Sequence, residues 1–152
     1  MAAGNVLWPQ AKEGMLSGTI SLGGANSTGS NPTLVPPTYC CLISSSYAYL
    51  NTHKFWSSHV EVHQVGATGT LANRTIVNGT FDADDITFSS VAAGSRVHHV
   101  VVWQSGTAGD GLHGTGDYLV AHFDTGSGGG INMQTNGGDI TINWNASGLF
   151  SL

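Results

Sequence analysis

Histidine is the residue type with the widest chemical range in this sequence, because neutral imidazole binds transition metals and titrates near neutral pH. Seven histidines occur, and the sharpest grouping is His59-Val60-Glu61-Val62-His63. On a strand, both histidines and Glu61 would share one face, and two histidines with a carboxylate are the ligands of non-haem iron sites. A strand rises about 3.3 Å per residue, so His59 and His63 would lie about 13 Å apart, too far to share an ion. We interpret this row as polar residues that face solvent or another subunit.

The remaining histidines give no better metal site. His98 and His99 are adjacent, so on a strand they point to opposite faces and cannot chelate together without a bulge. His113 and His122 are isolated in the sequence, and His53 lies in a segment, Ser46–Trp56, that could form a helical turn. The sequence therefore predicts no metal and no cofactor. Histidines at a subunit contact would make assembly sensitive to acid.

Other catalytic patterns are also weak. The segment Asp82-Ala83-Asp84-Asp85 lacks the spacing, glycine and final glutamate of an EF-hand loop, and is more typical of a turn capped by carboxylates. No nucleophile elbow or phosphate-binding glycine loop occurs. We predict that the chain is not an enzyme. A small metal-dependent enzyme remains the alternative, and it requires a stoichiometric metal.

Composition excludes further classes of function. Four Lys or Arg and nine Asp or Glu make 13 charged residues in 152, or 9%, where about 25% is usual. The net charge of −5 argues against nucleic acid as a partner. Apolar runs are too short to cross a membrane, and no secretory signal is expected. A surface this poor in charge predicts burial in an assembly.

The elements that position these residues are predicted to be short strands. Alternating apolar runs are separated by turn signals such as Asn78-Gly79 and Asn136-Gly137-Gly138. We expect an all-β fold, an antiparallel sandwich or barrel of jelly-roll-like type, with Val97–Trp103 as a central strand covered on both faces. The predicted strands are Met15–Leu22, Thr38–Ile43, Ser58–Val65, Thr70–Val77, Asp85–Phe88, Val97–Trp103, Tyr118–Phe123, Ile131–Gln134, Asp139–Trp144 and Gly148–Leu152.

The domain organisation is predicted to be a single domain with an N-terminal extension. Residues 1–37 comprise an extended N-terminal arm, a first strand and the Gly/Ser/Pro-rich loop Gly23–Pro37, and residues 38–152 form the β-sandwich. Cys40 and Cys41 are adjacent, so an intrachain disulfide between them is not expected. An arm and a long loop on a charge-poor β-domain are consistent with segments that connect subunits in an assembly. They are equally consistent with disordered segments.

Several segments resemble a family of small structural-gene proteins of tailed bacteriophages. The segment Val77–Phe88 is similar to the family's run V-x-x-G-x-x-D-A-D-D-V-T-F, and Tyr118–Asp124 to its strand R-L-I-A-Y-I-D. Asn51–Phe55 resembles its N-x-x-T-H-x-F segment, and Asn136–Trp144 matches a run that ends eight residues before the C-terminus. The resemblance covers Thr38–Leu152 in order and spacing. The chain departs from the family in its low charge, its N-terminal region and an insertion at Gly109–Gly116.

The resemblance implies a virion protein that is synthesised in the host cytoplasm and located on the capsid surface. It would be a decoration or cement protein whose partner is the major capsid protein. A homotrimer would suit the three-fold positions of an icosahedral shell. The alternative is a tail- or fibre-associated sandwich that binds host-surface carbohydrate through exposed tryptophans, although Trp103 and Trp144 end apolar strands and fit core or interface better. The candidate shell or subunit contacts are Trp8, Pro9, Leu34, Val35, His59, Glu61 and His63.

Overall fold

The computed structural model describes residues 4–22, 36–106, 116–126 and 129–152, and the structural statements below concern these ranges. Thirteen strands, two helices and one 3-10 turn lie within them. In chain order they are β1 (Val6–Leu7), α1 (Pro9–Ser17), β2 (Thr38–Ser44), α2 (Trp56–His59), the 3-10 turn Glu61–His63, β3 (Gln64–Thr70), β4 (Thr75–Val77), β5 (Thr80–Asp82), β6 (Ile86–Phe88), β7 (Arg96–Gln104), β8 (Tyr118–Phe123), β9 (Thr125–Gly126), β10 (Gly129–Gly130), β11 (Met133–Gln134), β12 (Ile140–Ile142) and β13 (Phe150–Ser151).

The main sheet has the strand order β1-β8-β7-β2-β3, and β11 pairs with the N-terminal end of β7. Each of these pairings is antiparallel. The two central strands, β2 and β7, are buried over most of their length, because the sheet is covered on both faces. This confirms the expectation of a doubly covered strand at Val97–Trp103.

Two smaller antiparallel sheets, β6 with β12 and β4-β5-β13, complete the fold, and β9 and β10 form a separate hairpin. Phe81, Ile86 and Phe88 from the small sheets join the same buried cluster as Val65 of β3 and Val100 of β7. The antiparallel all-β sandwich predicted from the sequence is therefore confirmed.

Aromatic stacking organises the centre of this core. Trp56 and Trp103 are both fully buried, and their rings stack with centroids 5.2 Å apart and planes inclined by 10°. Tyr39 also packs against Trp103, with ring centroids 4.5 Å apart. The Trp103 Nε1–H donates to Cys41 Sγ, 3.4 Å away. Trp103 is therefore a core residue, one of the two roles predicted for it.

The predicted Asn78-Gly79 turn is confirmed. It joins β4 to β5 as a two-residue hairpin loop, with Val77 paired to Thr80. Asn78 and Gly79 both have positive φ angles, of 50° and 79°. This is the backbone that matches the twist of hairpin strands, and asparagine followed by glycine adopts it most readily.

Two predicted strands are wrong. Met15–Leu22 was expected to be extended, but Met15 lies in helix α1, which begins with Pro9 at its first position and ends before Gly18 in the left-handed region. Proline at the start and glycine past the end are the usual helix boundaries. Ser58–Val65 is also wrong, because α2 and the 3-10 turn occupy it until β3 begins at Gln64.

Other boundaries differ less. The helical turn expected within Ser46–Trp56 begins only at Trp56, the last residue of that segment. The predicted strand Thr70–Val77 is divided, because β3 ends at Thr70 and β4 begins at Thr75. Strands β1, β5, β9 and β10 were not predicted, since two- and three-residue strands carry too little alternation to be recognised.

The extended N-terminal arm, predicted for Met1–Gly14, is wrong for residues 4–14. Val6 and Leu7 pair with β8, and Trp8 is fully buried. The Trp8 Nε1–H donates to the carbonyl oxygen of Leu50, 3.0 Å away. This segment is therefore an edge strand and helix of the domain itself. Residues 23–35 of the predicted loop lie outside the described residues.

Burial of the two cysteines gives a first testable prediction. Cys40 and Cys41 are free thiols with fully buried side chains, and burial raises the pKa of Cys41 to about 11 and that of Cys40 well above its ordinary value. Because the thiolate is the reactive form, neither should react with Ellman's reagent in the native protein, while both should react after unfolding in guanidinium. Rapid reaction of either thiol in the native state would contradict this packing.

Candidate functional site: a histidine cluster and an open strand edge

The structure brings together three residues that the sequence keeps apart. His122 and Asp124 are two residues apart at the end of β8, so their side chains lie on one face of the sheet. Val101 pairs with His122 and Val100 with Phe123, and this register, continued by one residue, places His99 opposite Asp124. One ligand atom from each of His99, His122 and Asp124 lies within 4.8 Å of the other two.

Hydrogen bonds fix these three side chains. His122 Nε2 lies 3.1 Å from His99 Nδ1, and His122 Nδ1 lies 3.4 Å from the carbonyl oxygen of Gly4. The Gly4 backbone N–H donates to Asp124 Oδ2 at 3.2 Å. The second carboxylate oxygen, Asp124 Oδ1, is buried and has no hydrogen-bond partner in the described part of the chain.

Aromatic rings enclose the group. Tyr49 packs against the His122 ring at 4.8 Å, and Trp8 contacts the same ring edge-on at 5.7 Å. Tyr47 contacts both His99 and His122, and its hydroxyl lies 2.8 Å from His53 Nδ1. The result is a histidine cluster, which we define as His53, His59, His63, His99 and His122 around Tyr47 and Tyr49.

The surroundings of His99 and His122 favour neutral imidazoles. Burial and, to a smaller extent, the neighbouring His99 lower the pKa of His122 to about 4, against the opposing effects of Asp124 and of the hydrogen bond to Gly4. Burial likewise lowers the pKa of His99. Desolvation disfavours the charged form of any buried base. Both rings therefore keep a free nitrogen lone pair at neutral pH, which is the form that binds metals.

The predicted row His59-Glu61-His63 does not lie on a strand. His59 ends α2, while Glu61 and His63 form the 3-10 turn, so the strand face inferred for them is wrong. The exposed His59 ring stacks on His53, with centroids 4.4 Å apart, and His63 Nδ1 lies 2.9 Å from Ser46 Oγ. These residues form the outer side of the histidine cluster.

Sequence reasoning also treated His122 as isolated, which is wrong. The pattern His122-Phe123-Asp124 at the end of a strand was visible, but only the pairing of β7 with β8 brings His99 beside it. Strand register depends on contacts distant in sequence, so no local signal could supply it. His113 lies outside the described residues.

The remaining predicted contact residues are placed as follows. Trp8 cannot be a surface contact, because it is fully buried in the core of this chain. Pro9 is exposed at the start of α1. Leu34 and Val35 lie outside the described residues. Glu61 and His63 are half-buried.

An open strand edge is the main exposed apolar feature of the small sheet. Strand β4 pairs with β5 on one side only in the described part of the chain, and all three of its residues are exposed. Ile76 and Val77 are 51% and 63% exposed, and Leu152, which is 66% exposed, lies beside the same hairpin through its N–H bond to the Gly79 carbonyl. The segment Thr75–Phe81 contains no charged residue.

A groove runs between the end of β8 and β12. Phe123 and the half-buried Trp144 line it, with ring centroids 5.5 Å apart, together with the amide side chains of Asn5, Asn132 and Asn143. Trp144 is fixed there because its Nε1–H donates to the Asp84 carbonyl at 3.1 Å.

The acidic segment is used to hold turns and strand ends. Asp82 Oδ1 accepts from the Ala83 N–H, Asp84 Oδ2 from the Asn73 amide, and Asp85 Oδ1 from the Trp144 N–H. The three carboxylates have separate protein partners, which is the structural role predicted for them.

In comparisons with known proteins, no family model, no curated protein and no solved structure matches the chain. Among the described residues, no helix combines the length and apolar character that a membrane span needs.

Proposed function

We propose that the chain is a structural virion protein of a tailed bacteriophage, a decoration or cement protein that binds the major capsid protein through the open edge of β4. The observation that carries this proposal is the uncharged, exposed apolar edge formed by Ile76 and Val77 of β4. Two motifs that resemble the phage family lie in the two small sheets. Val77–Phe88 includes β5 and β6, and Asn136–Trp144 includes β12.

An open strand edge carries unpaired N–H and C=O groups that readily accept another strand. Soluble proteins usually protect such edges with lysine, proline or a bulge. Strand β4 has none of these and instead presents two large aliphatic side chains. A partner strand from the capsid shell would satisfy the backbone groups and cover the apolar side chains in one step.

The low charge of the chain also favours the capsid shell as the partner. With 9% charged residues, the surface has few groups whose desolvation would oppose a large contact. A net charge of −5 disfavours binding to phosphate, so the packaged nucleic acid is not the partner. A cement protein acts by burying area across the joints between capsid subunits. A homotrimer multiplies a modest contact through effective concentration.

Lysine substitution of the edge tests the proposal. We expect the double variant Ile76→Lys/Val77→Lys to lose at least tenfold in affinity for shells that lack this protein, because charge blocks strand pairing. Its unfolding free energy should change by less than about 1 kcal/mol, since surface substitutions are usually mild. Affinity is measured by co-sedimentation with shells of the phage that encodes the chain.

The matched control is Leu16→Lys, which places the same charge on an apolar side chain that is 86% exposed on α1, away from β4. This variant should bind shells as the wild type does. Equal binding by the edge variant and the wild type would refute the proposed surface.

A second candidate function is supported by the groove beside Trp144. An aromatic ring flanked by asparagine amides is suited to stacking on and hydrogen bonding to a sugar, as a tail- or fibre-associated module would require. Trp144→Phe should then remove binding on a glycan array. A shell-binding protein would instead give no glycan signal and keep its shell affinity in this variant.

A further inference from the structure

We propose that His99, His122 and Asp124 bind one divalent transition-metal ion, with Zn²⁺ as the ion that the geometry fits best. The sequence predicts no metal, and the proposal comes from the juxtaposition of β7 and β8 alone. It is independent of the shell-binding proposal, because the site lies inside the domain rather than at the β4 edge.

The distances match those of a metal site. Nitrogen ligands lie about 2.0–2.1 Å from zinc, so two of them in a tetrahedral site are separated by about 3.3 Å. His99 Nδ1 and His122 Nε2 are 3.1 Å apart, and the Asp124 carboxylate completes a group that spans no more than 4.8 Å. An ion between these three atoms would therefore need only small movements of the side chains.

Asp124 provides the second, independent observation. The residue is only 7% exposed, and its Oδ1 atom has no hydrogen-bond partner among the described residues. A buried carboxylate oxygen without a partner is costly. Because Oδ2 already accepts from the Gly4 N–H, Oδ1 is the oxygen left for a cation.

The outer contacts orient the ligands as in known metal sites. If His122 Nδ1–H donates to the Gly4 carbonyl, Nε2 is left as the free ligand atom. His99 hydrogen-bonds with the backbone of Tyr47. Each imidazole therefore has a hydrogen bond to a backbone group, and His99 Nδ1 and His122 Nε2 face each other.

The surroundings would bury the ion on one side and leave its fourth coordination position open on the other. Trp8 and Tyr49 pack over His122, while the half-buried His99 provides the side from which an ion and a fourth ligand can enter. A bound ion would join β7, β8 and the N-terminal segment at Gly4. Its binding free energy would then add directly to the stability of the fold.

A competing site is the pair formed by the half-buried His53 and the exposed His59. Their rings are stacked, with planes inclined by 4°. Nitrogen lone pairs lie in the plane of the ring, so those of parallel stacked rings do not converge on one point. This pair is expected to bind zinc weakly, and the test must separate it from the buried group.

The experiment is a titration of the chelator-treated full chain with Zn²⁺ by calorimetry, and with Co²⁺ by visible absorption. We expect one ion per chain, a Co²⁺ spectrum typical of four-coordinate nitrogen and oxygen ligation, and a higher melting temperature with zinc. Asp124→Asn should weaken zinc binding at least tenfold, whereas His59→Gln should leave it unchanged. The asparagine can still accept from the Gly4 N–H, so this variant should keep its fold, which circular dichroism checks.

His99→Gln serves as a second ligand variant at a half-buried position, and it too should weaken binding at least tenfold. The proposal is overturned if the wild type binds no ion at one equivalent. It is also overturned if binding persists in Asp124→Asn and His99→Gln but is lost in His59→Gln, which would assign the ion to the surface pair.

Discussion

Replacing Trp8 by alanine should lower the free energy of unfolding by about 3–5 kcal/mol, the usual cost of removing a fully buried tryptophan. The side chain has no exposed surface and packs against Tyr49 and His122. Its removal would also release the Leu50 carbonyl from its hydrogen bond and loosen the pairing of β1 with β8. The measurement is equilibrium denaturation in urea.

Two control variants show how much of this loss comes from the buried packing of Trp8. Trp8→Phe keeps most of the packing and loses the Nε1–H bond to Leu50, so it should cost clearly less than alanine. Leu16→Ala removes an exposed side chain from α1 and should change stability by less than about 0.5 kcal/mol. If Trp8→Ala were as stable as the wild type, residues 4–22 would not be part of the domain.

Gly148→Ala should be the second strongly destabilising change, by about 3 kcal/mol or more, from combined backbone strain and overpacking. Gly148 has a φ angle of 95°, and an added Cβ would lie 2.5 Å from Thr80 Cγ2 and 2.9 Å from the Phe81 carbonyl oxygen. The next residue, Leu149, donates its N–H to that same carbonyl. The clash would therefore displace β13 from β5.

The control variant Gly137→Ala separates backbone strain from overpacking. Gly137 has a similar φ angle of 89°, but nothing lies within 4 Å of an added Cβ. This control should cost only the strain of the left-handed backbone, about 1 kcal/mol. Thermal or urea unfolding of both variants measures the difference, and equal losses would mean that the close packing of Gly148 against β5 is not real.

The sequence predicted the fold class and the central strands because those features are local. In β7, apolar residues at both strand phases indicate burial on both faces, and Asn78-Gly79 indicates a hairpin turn. The same kind of alternation gave a wrong strand prediction for His59-Glu61-His63. A pattern of only five residues, with apolar residues between polar ones, does not distinguish a strand from helical turns. Pro9 was the missed signal for α1, because proline favours the first helical position.

The candidate sites depend on pairing that the sequence does not specify. His99 meets His122 only through the register of β7 with β8, and Gly4 reaches Asp124 only because β1 adds to the edge of the sheet. The β4 edge is also a tertiary result, because the C-terminal strand β13 occupies the other side of β5 and leaves β4 at the edge of this sheet. Strand register is fixed by contacts between distant residues.

The proposed binding of the chain to the outside of a capsid shell is tested most directly by size-exclusion chromatography with light scattering. The purified chain is run alone and mixed with shells assembled without it. We expect a trimer that moves into the shell fraction and saturates there at a fixed copy number. A chain that keeps its own elution volume in the presence of excess shells would contradict it.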